Sequence, residues 1–308
     1  MVSPLRKRRH LERQWAALHK YLNAIGFGTF SKRDFDEWLY KEALTDPDIT
    51  IEAVDLDDNP IVEKRKEVSP GMGISMRGYY GADGNFILDS YFPYREPKLQ
   101  ANQLETNIIP QTDRNGMYGV CDDTRIGVDL VYFVQDMMAL LKTDQKNNSE
   151  VFFGGTSLMG LADTGTILLP SFKTEEFKQR ADKARQKKGE LVQAARSGDE
   201  RAYEDLSMDE MNLYSQITSR LQNESVYEII DTSFMPVGVE TDKYAVVGEI
   251  TDFHKFLNQV TRQTVWVLTI VTESMKFEVT VNEKDLLGIP AKGRRFKGEI
   301  WLQGKVNA

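Results

Sequence analysis

Asp163-Thr164-Gly165-Thr166 follows the apolar pair Leu161-Ala162. Paired-carboxylate proteases present D-T-G-[ST] after an apolar strand, so that two aspartates meet and share one proton. The chain holds one copy, so a homodimer would be needed, and a charged helical stretch begins only a few residues later. The competing reading is a turn in which Asp163 and Gly165 supply the bend. Metal chemistry fares worse. His10, His19 and His254 do not make a zinc-binding spacing, and one cysteine, Cys121, cannot make a Cys pair. Asp55-Leu56-Asp57-Asp58-Asn59 opens like a calcium loop, but Pro60 stands where glycine is needed and Lys66 where the bidentate glutamate belongs. Gly71-Met72-Gly73 starts a dinucleotide fingerprint and lacks its third glycine and its helix. Gly154-Gly155-Thr156-Ser157 reads as an anion nest or, better, a bulge or turn. Cys121 lies beside Asp122 and Asp123, whose charges oppose a thiolate. No catalytic residue, metal ligand or cofactor is assigned.

Binding chemistry is more legible. Lys292, Arg294, Arg295 and Lys297 surround Phe296, and Trp301 follows. Cations grip phosphates, and aromatic side chains on a strand can stack bases. With Trp266 and Phe277 on neighbouring expected strands, the candidate ligand-binding set is Arg294, Arg295, Lys297, Trp266 and Trp301. The competing reading puts Phe296 and Trp301 in the core and leaves the cations on a solvated edge, where they oppose strand-to-strand aggregation.

The elements that must position these residues follow from periodicity. Trp15, Leu18, Leu22 and Ile25 predict a helix over 11–25, ended by Gly26. Ser31 as N-cap with Asp34 three residues on predicts a second helix, ended at Asp46-Pro47. From residue 48 the pattern is that of strands, and Asp83-Gly84 predicts a hairpin between 72–80 and 85–92. Shorter strands are expected near 106–110, 116–121, 126–134, 150–158 and 165–169. Residues 129–141 fit either a buried strand or a helix. Residues 173–222 read as a charged helical hairpin with a thin stripe of Phe177, Ala181, Ala184, Leu191 and Ala195, and Ser207 and Glu210 make a second capping box. Residues 223–308 give five strands, 226–231, 243–252, 264–272, 275–282 and 295–306. One helical turn, capped by Asn282 and ended by Gly288, precedes the last. That order is the order of an OB-like barrel.

The fold class expected is therefore α+β: a basic extension at 1–17, a β-rich domain with two leading helices over 18–172, the hairpin over 173–222 and a small all-β barrel over 223–308. The chain has 308 residues and a formal charge of −8, which argues against wholesale wrapping of nucleic acid. The acidity is local: residues 21–169 carry 24 acids against 13 Lys and Arg. The basic start (Arg6, Lys7, Arg8, Arg9) is followed by no apolar run of the secretory kind, and no stretch is apolar enough to span a bilayer. With a single cysteine, these features point to the cytoplasm.

Four stretches carry a family resemblance: L-H-K-Y-L-N-A-I-G-F at 18–27, A-A-R-S-G-D-E-R-A at 194–202, Q-N-E-S-V-Y-E-I-I-D-T-S-F-M-P-V-G-V-E at 222–240 and G-R-R-F-K-G-E-I-W-L-Q-G at 293–304. The chain resembles, from about residue 18 onward, a clostridial, hence bacterial, family of domains of unknown function of about 300 residues. The resemblance brings no activity, and it implies that residues 1–17 are either an extension or a start placed too far upstream. Three readings of function stand: a non-enzymatic cytoplasmic binding or assembly protein, with the helical hairpin as one docking element for a protein partner; single-stranded nucleic-acid binding through the C-terminal barrel; and an enzyme of unrecognised type in the N-terminal domain.

Overall fold

The computed structural model describes residues 19–55, 57–102, 106–110, 116–123, 128–144, 155–170, 232–238, 242–272 and 275–306, with short pieces between 187 and 208. Local chemistry sets the first elements. Lys20–Ile25 is a 3-10 helix, not the α-helix expected, and it ends at Gly26 with φ 93°, a conformation that strains other residues. Residues 11–18 lie outside the described residues. Ser31 caps helix α1 (Lys32–Trp38) in a closed capping box. The helix then widens into one π turn, Leu39–Ala43, where the Leu44 N–H reaches the Leu39 carbonyl at 3.0 Å.

A first sheet follows as an antiparallel meander of β1 (Ile49–Val54), β2 (Pro60–Ser69), β3 (Met72–Tyr80) and β4 (Phe86–Arg95). Gly84, at φ 78°, sits in the β3–β4 turn where the sequence places it. Phe35, Trp38, Leu39 and Ala43 pack on Met72, Ile74 and Met76, so the helix and π turn roof this sheet.

The second, larger sheet uses β5 (Gln100–Asn102), β6 (Thr106–Pro110), β7 (Met117–Asp123), β8 (Val128–Val134), β9 (Thr156–Ala162), β10 (Gly165–Leu168), β11 (Ser233–Pro236), β12 (Lys243–Leu257), β13 (Thr264–Val271), β14 (Lys276–Asn282), β15 (Leu286–Leu287) and β16 (Arg295–Val306). Residues 129–141 resolve into both alternatives, the end of β8 and helix α2 (Met137–Asp144). The turn capped by Asn282 is present at Glu283–Asp285, and Gly288 follows at φ 96°.

Five of these strands close a ring. β12 pairs with β13, β13 with β14, β14 with β9, β9 with β16, and β16 back with β12. All are antiparallel except β14–β9, which is parallel. β12 serves two neighbours because Lys243–Glu249 lies along β16 and Glu249–Leu257 along β13, with a bulge between Ile250 and Asp252. Leu158, Tyr244, Val246, Ile250, Leu268, Ile270, Phe277, Val279, Val281, Ile300 and Leu302 belong to the core that fills it.

These pairings cross the division drawn from sequence. There the barrel closes on 223–308 alone, with 226–231 as one strand. That segment lies outside the described residues, and the fifth strand of the ring is β9, from residues 156–162. β16 also pairs with β8 and β10. The stretches 18–172 and 223–308 thus share one sheet, because β14 and β16 would otherwise each leave a row of backbone groups unpaired. Most of the hairpin expected at 173–222 also falls outside the described residues; 189–195 and 204–206 are helical.

Charge and amide groups join the two sheets. Glu63 and Arg77 face each other across β2 and β3, and Glu63 accepts from Arg65 Nε and Arg77 Nε, both at 2.6 Å. Arg65 donates onward to the Gln135 carbonyl, and Gln135 Nε2 donates to the Arg95 carbonyl and to Gln303 Oε1. Among the described residues no helix is long and apolar enough to cross a membrane.

Candidate functional site

The catalytic lookalikes resolve into structure. Asp163 bends the chain between β9 and β10; its carbonyl and its Oδ1 accept from Asn23 Nδ2, and Lys20 stands 3.8 Å away. Asp55 Oδ1 accepts the N–H groups of Asp57 and Asn59, an Asx loop. Gly71 turns β2 into β3 at φ 67°. The Cys121 thiol is buried, 3.0 Å from Thr106 Oγ1. Among the described residues no group of three or more His, Cys, Asp or Glu is placed to hold a metal ion.

The five residues singled out for ligand binding do not share a face. Trp301 lies in the core, its ring 5.0 Å from that of His19 and 5.6 Å from that of Tyr21, and its Nε1 donates to Asp242 Oδ2 at 2.7 Å. Trp266 leans on the ring's own core, edge-on to Phe253, with Lys255 Nζ 4.3 Å above it. Arg295 is buried and donates through Nε to the Leu169 carbonyl; Arg294 Nη1 donates to the Ile289 carbonyl. Lys297 stands half-buried on β16 between Val247 and Thr166. Phe296 and Trp301 are inside, as the competing reading expects, but Arg295 is buried and not on the solvated edge that reading gives it.

The outer face of β13, β14, β9 and β16 is covered by the chain itself. Residues 23–28 lie on it with their carbonyls held: Asn282 Nδ2 donates to Asn23 O, Asn258 Nδ2 to Ile25 O and Lys284 Nζ to Gly28 O. Further along, Gln303 Nε2 donates to Pro93 O, and the Lys98 N–H donates to Glu278 Oε2.

An open groove of about 1040 Å³ lies between α1 with its π turn, the start of β1, the β2–β3 turn and the β12–β13 loop. Its apolar lining is Phe30, Trp38, Pro70 and Val260; its charged lining is Asp34, Glu37, Glu42, Asp48 and Glu67 against Lys41 and Lys66. The aromatic floor is braced from below by Phe27, 5.0 Å from Trp38 and 5.3 Å from Phe35.

Each charged wall is fixed by local bonds. Asp34 belongs to the capping box, and the Ser31 hydroxyl and backbone N–H hold its carboxyl below the usual aspartate range. Glu37 bonds Lys41 one turn on at 2.6 Å, and that bond lifts the Lys41 ammonium above its ordinary value. Burial would lower Lys66, but its bonds to Asp46 and Asp48 outweigh that and raise it. Asp48 also accepts the Glu67 N–H at 2.7 Å, and Glu67 accepts from Gly71. The sequence marks this wall only as a charged strand near 60–67; the 37/41 spacing and the Ser31 box are the signals that name its other side.

A family model described as a domain of unknown function from an E. rectale gene description, DUF3881, matches residues 22–304. No curated protein matches the chain, and no solved structure does.

Proposed function

The chain belongs to the DUF3881 family of unknown function, and from that premise we propose that it is a non-enzymatic binding or assembly protein whose ligand lies in the groove beside α1. One observation carries this reading. The groove is lined by five carboxylates against two ammonium groups over an apolar floor, which favours a partner that presents cations on an apolar stem. The π turn supports a functional role for this wall, since such turns recur at functional sites.

We read the ring as an OB-type barrel in permuted order. Supporting this are the long bulged β12 serving two neighbours, the parallel β14–β9 pair and the helical turn after β14. β9 then plays the fifth strand while preceding the first. The face that binds oligonucleotides in such barrels is the one covered here by residues 23–28 and β4. This weighs against the nucleic-acid reading and against Arg294, Arg295, Lys297, Trp266 and Trp301 as one site. The cytoplasmic placement rests on the single buried thiol. The stretch 173–222 keeps its place as a second docking element on its sequence alone.

The test is affinity capture from native lysate with the wild-type protein and with Glu37→Lys/Glu42→Lys. Partners retained by the wild type and lost by the charge-reversed protein are expected. An identical set of partners with both, or none with either, overturns the groove as the site.

A further inference from the structure

The charges that line the groove are unequally free. Lys41 is held by Glu37 at 2.6 Å, and Lys66 by Asp46 Oδ2 at 2.9 Å and Asp48 Oδ1 at 3.4 Å. Both ammonium groups are therefore matched inside the chain, and so are Glu37 and Asp48. Glu42 and Glu67 are exposed, line the groove and lie in no ion pair among the described residues. A second observation comes from a neutral group. Ser69 is only 4% exposed, yet it lines the groove, and its hydroxyl has no hydrogen-bond partner among the described residues. Gln259 lines the groove too. Its N–H donates to the carbonyl of Val68, next to Ser69, at 2.8 Å, while its side-chain amide bonds to nothing described. Buried polar groups are as a rule satisfied, so a buried hydroxyl left open to a groove points to a ligand.

Size and chemistry select the occupant. At about 1040 Å³ and open to one side, the groove lies past the roughly 300–1,000 Å³ of small-molecule pockets. An extended peptide presents backbone donors and acceptors in alternation, and a serine hydroxyl or a glutamine amide can meet either kind. Lysine and arginine lay their stems on apolar surface, here Phe30, Trp38 and Val260, while their heads stay at the rim. Exposed carboxylates without a cation of their own complement those heads. The β2–β3 turn below is set in advance, because Arg95 Nη1 donates to the Pro70 and Gly71 carbonyls at 3.0 and 3.1 Å. Resting on the groove reading above, we propose that the groove takes an extended, lysine- or arginine-rich segment of a partner protein, its cations on Glu42 and Glu67 and its backbone on Ser69 and Gln259.

The probe is a labelled, end-capped peptide of alternating lysine and leucine, titrated into the full chain by fluorescence anisotropy beside its glutamate–leucine counterpart. Saturable binding of the lysine peptide is expected, weakened by salt, with none of the glutamate peptide. Affinity should fall about tenfold in Glu42→Gln/Glu67→Gln and about threefold in Ser69→Ala. It should hold at the wild-type value in Glu299→Gln, an exposed carboxylate on β16 outside the groove. The two groove glutamates are exposed, so their double variant should keep the wild-type near-ultraviolet circular dichroism; Glu42→Gln alone replaces it if it does not. Unchanged binding by either groove variant, an equal fall in Glu299→Gln, or no binding at low salt overturns the proposal. So does spermidine binding as tightly as the peptide, which would make the ligand a free polyamine. The groove reading fails separately: native partners lost in Glu37→Lys/Glu42→Lys, with no lysine peptide bound, keep the groove and reject only its basic occupant.

Discussion

Glu63 is sealed from water and holds two guanidiniums at once. Arg65 and Arg77 also lie against aromatic faces, those of Tyr94 and Phe92. Burial alone would raise the Glu63 carboxyl, but the charges of Arg77 and Arg65 outweigh it and hold the group below its ordinary 4.5. The folded value therefore lies under the unfolded one. The stabilisation is complete above about pH 4.5 and is lost as pH falls through the folded value. Glu63→Gln leaves buried cations without their counter-charge, and a loss of about 3–5 kcal/mol is expected at pH 7 from urea midpoints. The variant should also lose less stability than the wild type on acidification to pH 3. A wild-type-like acid limb in the variant would show that Glu63 is not the group that titrates. Asp136 carries the opposite sign: burial raises it, so its contribution favours the fold at low pH and declines as pH rises.

At the scale of elements, the capping box is what starts α1 at Ser31, and the π turn is what continues it to Ala43. The extra residue in that turn sets where Lys41 and Glu42 emerge, and so shapes one wall of the groove. Ser31→Ala removes the acceptor for the Asp34 N–H and one of the two donors to the Asp34 carboxylate, leaving the backbone N–H of residue 31. We expect a cost of about 1 kcal/mol in thermal or urea unfolding. Nuclear magnetic resonance titration should find the Asp34 carboxyl moved up toward the ordinary aspartate range. An Asp34 that does not move at all in the variant would show that the Ser31 hydroxyl is not a cause.

At the scale of the whole molecule, the ring draws four strands from 243–306 and one from 156–162. Val306 and Thr156 are already register partners at the open end. A chain of residues 233–306 alone leaves β14 and β16 without their shared neighbour, and we expect it to lack near-ultraviolet circular dichroism and amide protection. Residues 155–169 placed after residue 306 through a hairpin loop of about two to four residues should restore both. Protected β14 and β16 amides in 233–306 alone would refute the shared ring.

The sequence by itself determined what short range decides. Ser31 and Asp34 announce α1, Asp83-Gly84 the hairpin, Asn282 and Gly288 the single turn, and residues 295–306 the last strand to the residue, since caps, turns and alternation act over a few positions. It also carried the family, in motifs read end to end. Only the tertiary structure decided that β9 completes the ring, that Trp301 and Trp266 face different cores, and that Glu63 meets Arg65 and Arg77 in the dark. The groove, too, was set at that level, because residues 34–42, 66–70 and 259–260 meet only after the chain folds. A local pattern records which face of a strand is apolar; the pairing of edges distant in sequence is chosen by burial and backbone satisfaction over the whole molecule, and no single segment encodes it.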